Sequence, residues 1–256
     1  MRRLILFILL PFVFSACQKE AGYEIEGNIK GLNNGEVILK HKRDGQWTQV
    51  DSTKAQNGKF VFNGKLTSPE IYAITVDTIG AFKLFVENSS IRITGRTDSL
   101  NSLNIKGSAI HDKYAGFQNN IGRYDQEISN LYQEYKSVKQ KGNDQRAKEI
   151  EEEYQAVSEN KIEYIKKFVK DHTNSVISPY VTSRYLLPYI KFSELDSTYK
   201  ALDSIVKKSR YAQKIKDRRD LLKRVQVLDW LLHYLNKLLY LKREILFLFL
   251  IDLVLR

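Results

Sequence analysis

From Tyr23 to about Ser108 the chain is rich in β-forming residues, and apolar and polar residues alternate in Tyr23-Glu24-Ile25-Glu26, Lys59-Phe60-Val61-Phe62-Asn63 and Ser90-Ile91-Arg92-Ile93-Thr94. A period of two predicts strands that bury one face and wet the other. Four dipeptides punctuate the stretch, Asn34-Gly35, Asp44-Gly45, Asn57-Gly58 and Asn63-Gly64, and such pairs are the strongest short-range hairpin signals. Residues 23–108 are therefore expected to form a small antiparallel β-sandwich or open barrel.

Near Ser108 the period lengthens. Phe117, Ile121, Tyr124, Ile128, Leu131, Tyr135 and Val138 recur at steps of four and three, which sets them on one seam of a long helix. Ile150, Tyr154, Val157, Ile162, Ile165 and Val169 form a second stripe, and Lys141-Gly142-Asn143 breaks the chain between them, with Asn143 or Asp144 as the next cap. So short a break implies an antiparallel helical hairpin. After His172-Thr173-Asn174-Ser175, shorter helices are expected over 176–189, 193–208 and 209–224, with Ser193 and Ser209 as N-caps and Pro188 ending the first. The fold class is thus α+β, with a helical domain over 109–226.

The two ends differ in kind from this middle. Arg2 and Arg3, the apolar run Leu4 to Phe14, and Ser15-Ala16-Cys17 read as a bacterial lipoprotein signal. The run is shorter than the roughly 20 apolar residues that span a bilayer. Residues 1–16 are expected to be cleaved, and Cys17 to be the lipid attachment site, its thiol taking a diacylglyceryl group and its freed amine an acyl chain. Phe14 stands where the usual lipobox has Leu, so a cleaved secretory signal with an idle cysteine is the alternative. Residues 17–22 would be the lipidated N-terminus and linker. Gln18-Lys19-Glu20 lacks the Asp that often retains lipoproteins at the inner membrane, which favours an outer-membrane location facing the periplasm. Residues 227–256 are dominated by Leu and lack Gly, Pro, Ser and Thr. Three readings of this tail stand: a buried or amphipathic terminal helix, a membrane-associating segment, and an out-of-frame product.

Composition narrows the chemistry. A single cysteine excludes an intrachain disulfide, a zinc knuckle and a C-x-x-C redox pair. The formal charge of +11 would suit a polyanion, but the basic residues alternate with Glu and Asp along presumed helices, as over Lys136 to Lys170. With export, that argues against a nucleic-acid partner. His41, His111, His172 and His233 fall in separate segments without metal-ligand spacing, each read as surface or partly buried. Glu151-Glu152-Glu153 reads as solvated helix surface. No P-loop, G-x-G-x-x-G or G-x-S-x-G occurs, and no catalytic, cofactor-binding or metal residue is nominated.

Val50-Asp51-Ser52-Thr53 followed by Asn57-Gly58-Lys59-Phe60-Val61-Phe62-Asn63-Gly64, then Pro69 and Tyr72, then Phe85-Val86-Glu87-Asn88 with Ile91, Ile93 and Gly95, resembles the β-rich domain of unknown function in Bacteroidota lipoproteins. That domain commonly precedes a thioredoxin-like thiol-disulfide oxidoreductase domain. The resemblance runs on through Ile105-Lys106-Gly107-Ser108, Asp112, Tyr114 and Phe117 to Tyr185-Leu186-Leu187, covering roughly Gly22 to Arg224. It implies a G-x-x-A-P-x-F linker and a W-C-x-x-C motif next, and this sequence has neither. The departure falls just after Val225-Gln226-Val227, where a frameshift would replace the redox domain. The expected function is a non-catalytic, membrane-anchored module of a cell-envelope lipoprotein, with an envelope protein as possible partner. The alternative is a stand-alone ligand- or protein-binding lipoprotein using the β domain, with Trp47 and Tyr72 exposed on one sheet face. A hydrolase with a dispersed site would need a pocket lined by charged groups.

Overall fold

The computed structural model describes residues 22–254 except 44 and 78, and leaves out the side chains of 229, 236 and 238–254. Cys17 lies outside the described residues. Eight strands come first: β1 (Tyr23–Lys30), β2 (Glu36–Arg43), β3 (Gln46–Lys54), β4 (Lys59–Gly64), β5 (Glu70–Val76), β6 (Gly80–Val86), β7 (Ser90–Arg96) and β8 (Asn104–Lys106). They form two four-stranded sheets in the orders β4-β1-β7-β8 and β3-β2-β5-β6. The sheets face one another as a sandwich and do not close into a barrel. Every pairing is antiparallel except β1 with β7, which is parallel.

The period of two is what joins the sheets. Ile25, Ile29, Phe62, Ile91 and Ile93 from one sheet and Val37, Leu39, Ile74, Leu84 and Val86 from the other share one buried cluster. The four dipeptides differ in outcome. Asp44 lies outside the described residues, and Gly45 stands between Arg43 and Gln46, which pair at the ends of β2 and β3. Asn57 (φ 50°) and Gly58 (φ +81°) carry the chain from β3 to β4, closed by reciprocal backbone hydrogen bonds between Gln56 and Lys59. Asn34-Gly35 lies instead in the crossover between the sheets, and Asn63-Gly64 lies inside β4, paired with Glu24 and Tyr23. Gly64 is needed there because a Cβ would meet the Tyr23 ring at 2.4 Å.

The helices are α1 (Ala109–Gln140), α2 (Asp144–Asp171), α3 (Ile177–Val181), α4 (Phe192–Ala201) and α5 (Arg210–Val254). Asn143 caps α2, accepting the Arg146 N–H at 3.1 Å. Phe117 and Ile121 of the expected seam are buried, whereas Tyr124 to Val138 are half-covered because α2 alone faces them. On α2, Ile150, Ile165 and Val169 are buried but Tyr154 and Ile162 are exposed, and Ala147 and Phe168 pack inward in addition. The expected helix over 176–189 is shorter: after α3 the backbone widens to a π-helical turn over Thr182–Leu186 and ends before Pro188. Ser193 is not a cap, since Lys191 holds that position and makes no side-chain cap bond. Ser209 is one, accepting the Ala212 N–H at 3.2 Å. α5 does not stop near Arg224 but continues to Val254.

A second core lies outside the sandwich. β5 and β6 bury both faces: Tyr72 and Leu84 point to the sheet opposite, while Ile71 and Phe85 join Tyr114, Phe117, Ile177, Val181, Tyr211 and Ala212 of the helices. The molecule is therefore three layers deep at β5 and β6, sheet on sheet on helices.

Candidate functional site

Two places gather groups with chemical potential. The first is the joint between the β3-β2-β5-β6 sheet and the helices. Phe85 of β6 is fully buried, with its ring edge-on to Tyr114 (centroids 5.3 Å apart) and Tyr180 (5.0 Å). Burial raises the phenol pKa values of Tyr114, Tyr180 and Tyr211, so these rings stay neutral. Backbone and side chains seal the same joint. β6 is an edge strand, and the Phe85 N–H that would face solvent donates to His111 Nδ1 at 3.3 Å. Ser108 Oγ donates to the Phe85 carbonyl at 3.3 Å and accepts the His111 N–H at 3.1 Å, as the N-cap of α1. The start of α1 thus covers a sheet edge that would otherwise be free to pair. On β5 the Ile71 N–H donates to Tyr211 Oη of α5 at 3.1 Å.

Beside this joint, Glu70 holds His41 and Arg210 together. Its Oε2 takes the hydrogen bond of His41 Nε2 and pairs with Arg210 Nε at 3.1 Å. Arg43 Nε donates to His41 Nδ1 at 3.4 Å, which leaves Nε2 as the donor to Glu70. The His41 ring stacks on Tyr72 at 4.9 Å. Tyr72 is raised to about 12, first by burial and then by Tyr23 and Glu70. A histidine–carboxylate pair can serve as a general base only where it faces space for a substrate. Here the ring is buried, covered by Tyr72 and bonded at both nitrogens, so the arrangement clamps β2 and β5 to the start of α5.

Two expectations about these residues change. His41 and His111 are buried, not at the surface, because each ring nitrogen that faces the interior meets a partner. Trp47 and Tyr72 form no exposed platform: Tyr72 points into the sandwich, and Trp47 is half-buried against the helical core. His172 Nδ1 donates to the Phe168 carbonyl (2.8 Å) on α2, and His233 is exposed on α5. Among the described residues no two histidines come together. Among the described residues no group of three or more His, Cys, Asp or Glu is placed to hold a metal. The Glu70 cluster had no local signal, because its members lie 29 and 140 residues apart in the sequence (Glu70 to His41, and Glu70 to Arg210, 210 − 70).

His111 gives the joint a pH dependence. Burial lowers its pKa below the ordinary 6.5, with Asp112 opposing. The native state therefore resists a proton that the unfolded chain accepts, so the contribution is complete above pH 6.5 and is lost as the pH falls below it. Stability measured by urea denaturation is expected to decline on acidification with a slope of at most about 1.4 kcal/mol per pH unit from this group. In His111→Asn, whose Oδ1 can still accept the Phe85 N–H, that part of the slope is expected to vanish. An unchanged slope in the variant would rule the assignment out.

The second place is a cavity of about 320 Å³ between α2 and α4, walled by Val169, Leu186, Ile190 and Ala201 and fringed by Lys166, Lys170 and Glu194. Lys166 Nζ and Glu194 pair at 2.7 Å, and both side chains are about half exposed. The hydroxyls of Ser197 and Thr198 donate to the Glu194 carbonyl, so no nucleophile is paired with a base here. The cavity can take an apolar group.

The fold defines a class: a two-sheet β-sandwich with a helical layer packed on one sheet. Residues 23–114 match the family model of DUF4369, a domain of unknown function. The matched segment contains all eight strands and the first turns of α1, and ends on Tyr114, whose ring meets Phe85. No curated protein and no solved structure matches the chain.

Proposed function

We propose that this chain is a non-catalytic, lipid-anchored module of a bacterial cell envelope that holds a partner protein or domain at a set distance from the membrane. The observation that carries the reading is the joint at Phe85, which ties the sandwich and the helices into one body directly after the segment bearing Cys17. A body held by buried aromatic packing and by bonds to an edge strand transmits position without bending, which is what a spacer requires. Acylation at Cys17 would supply the membrane end, at the periplasmic face of the outer membrane. The proteins that the sequence resembles carry a thioredoxin-like domain after this region, and a partner of that kind would supply the thiol chemistry that a chain with one cysteine cannot perform alone.

The test is metabolic labelling of the full chain with an alkyne fatty acid in an envelope-bearing bacterium. The natural chain is expected to be labelled and to sediment with membranes. Cys17→Ser should abolish labelling, because the thiol is the attachment atom. An unlabelled natural chain would sink the anchor, whatever its fractionation. The cavity between α2 and α4 favours a second reading, a binding lipoprotein for a small apolar ligand. On that reading the site lies outside the segment matched to the family.

A further inference from the structure

α5 divides into two halves with different surroundings. Up to Leu222 it packs on the helical core, and Arg219 pairs with Asp220 and lies over the Tyr199 ring. From Lys223 the helix continues to Val254, a length of about 48 Å at 1.5 Å per residue. Val225, Val227, Leu228, Trp230, Leu231, Leu232, Tyr234 and Leu235 are each between 40% and 62% exposed, far from the burial their apolarity calls for.

Their arrangement around the helix says what covers them. At about 100° per residue the apolar side chains run from Trp230 through Tyr234, Val227, Leu231 and Leu228 to Val225, an arc of about 220°. Gln226, His233 and Lys237 occupy the rest. The seam of a two-stranded coiled coil is much narrower, and would leave Trp230 and Tyr234 in water. Those two rings, stacked 5.5 Å apart, stand at the edge of the apolar arc next to Lys237. Aromatic residues at the boundary between an apolar and a polar face are the signature of a helix lying at a lipid–water interface. Charge points the same way. Residues 223–244 carry Lys223, Arg224, Lys237, Lys242 and Arg243 against Asp229 and Glu244, within a chain of formal charge +11. Among the described residues no helix is long and apolar enough to cross a membrane.

We infer that residues 225–237 of α5 form a membrane-surface helix, which lays its apolar arc into an anionic lipid surface with Trp230, Tyr234 and Lys237 at the headgroups. It is a membrane contact separate from Cys17. The acyl chains on Cys17 already suffice for stable attachment, so what the helix would add is a fixed orientation of the body relative to the bilayer.

The sequence has two tryptophans, Trp47 and Trp230, so the full chain with Trp47→Phe reports on the tail alone, whether or not Cys17 is acylated. With phosphatidylglycerol vesicles, Trp230 emission is expected to shift to the blue and to be quenched by brominated acyl chains, and the binding to weaken in high salt. Replacing Leu228, Leu232 and Leu235 together by Gln keeps helix propensity and alters no buried residue. It is expected to reduce partitioning at least about tenfold. The absence of a shift on vesicles would overturn the inference. So would equal binding to phosphatidylcholine, or a blue shift that grows with protein concentration without vesicles, which would assign the face to a second copy of the chain.

Discussion

Replacing Phe85 by alanine is expected to lower the unfolding free energy by about 3–5 kcal/mol, the range for deleting a buried phenylalanine ring. The ring has no exposed surface and touches Tyr114, Tyr180 and Tyr211, three residues from three different helices or turns of the helical layer. None of these neighbours can close the space without leaving another contact, so the hole should stay largely open. Against a total stability of about 5–15 kcal/mol for a domain, this is a large fraction. Phe85→Leu, which keeps most of the volume, should lose less than half as much. Urea denaturation of the two variants beside the natural chain gives both numbers. A loss under about 1 kcal/mol for Phe85→Ala would mean that the helical layer does not depend on this contact, and the spacer reading would lose its support.

Gly107→Ala is the second large effect. Gly107 joins β8 to the Ser108 cap of α1 with φ +93°, and a Cβ there would sit 2.0 Å from the Ser90 carbonyl oxygen of β7. The left-handed backbone alone costs a non-glycine residue about 1–3 kcal/mol. The collision adds to that, because the atom struck belongs to a paired strand and cannot rotate away. A total loss of about 3 kcal/mol or more is expected, with the start of α1 displaced from β6. Gly142 supplies the control. It has φ +71° but nothing within 4 Å of a built Cβ, so Gly142→Ala should cost only about 1 kcal/mol. Equal melting temperatures for the two variants would contradict the argument from collision.

Much of the architecture was legible along the chain, and the reasons are local. Alternation in β1, β4 and β7 marks buried faces because successive strand side chains point to opposite sides. The steps of four and three in α1 and the Lys141-Gly142-Asn143 break mark the hairpin because helix faces repeat at 3.6 residues. Ser209 was visible as a cap since capping needs only a hydroxyl and the N–H three residues on. Ser193 shows the limit of that signal: a hydroxyl caps a helix only if its own residue keeps an extended backbone, and that conformation belongs to Lys191, whereas Ser193 is already inside α4.

The sequence by itself determined the strands, the long helices and the α+β class, because each rests on spacing between neighbours. It also limited the chemistry, since one cysteine cannot make a redox pair. Only the tertiary structure decided that β1 pairs in parallel with β7, that β5 and β6 are covered on both faces, and that Glu70 gathers His41 and Arg210 into a clamp. Those contacts join residues far apart in the chain. Their formation depends on how the two sheets stack and where α1 meets an edge strand, and no local period encodes that.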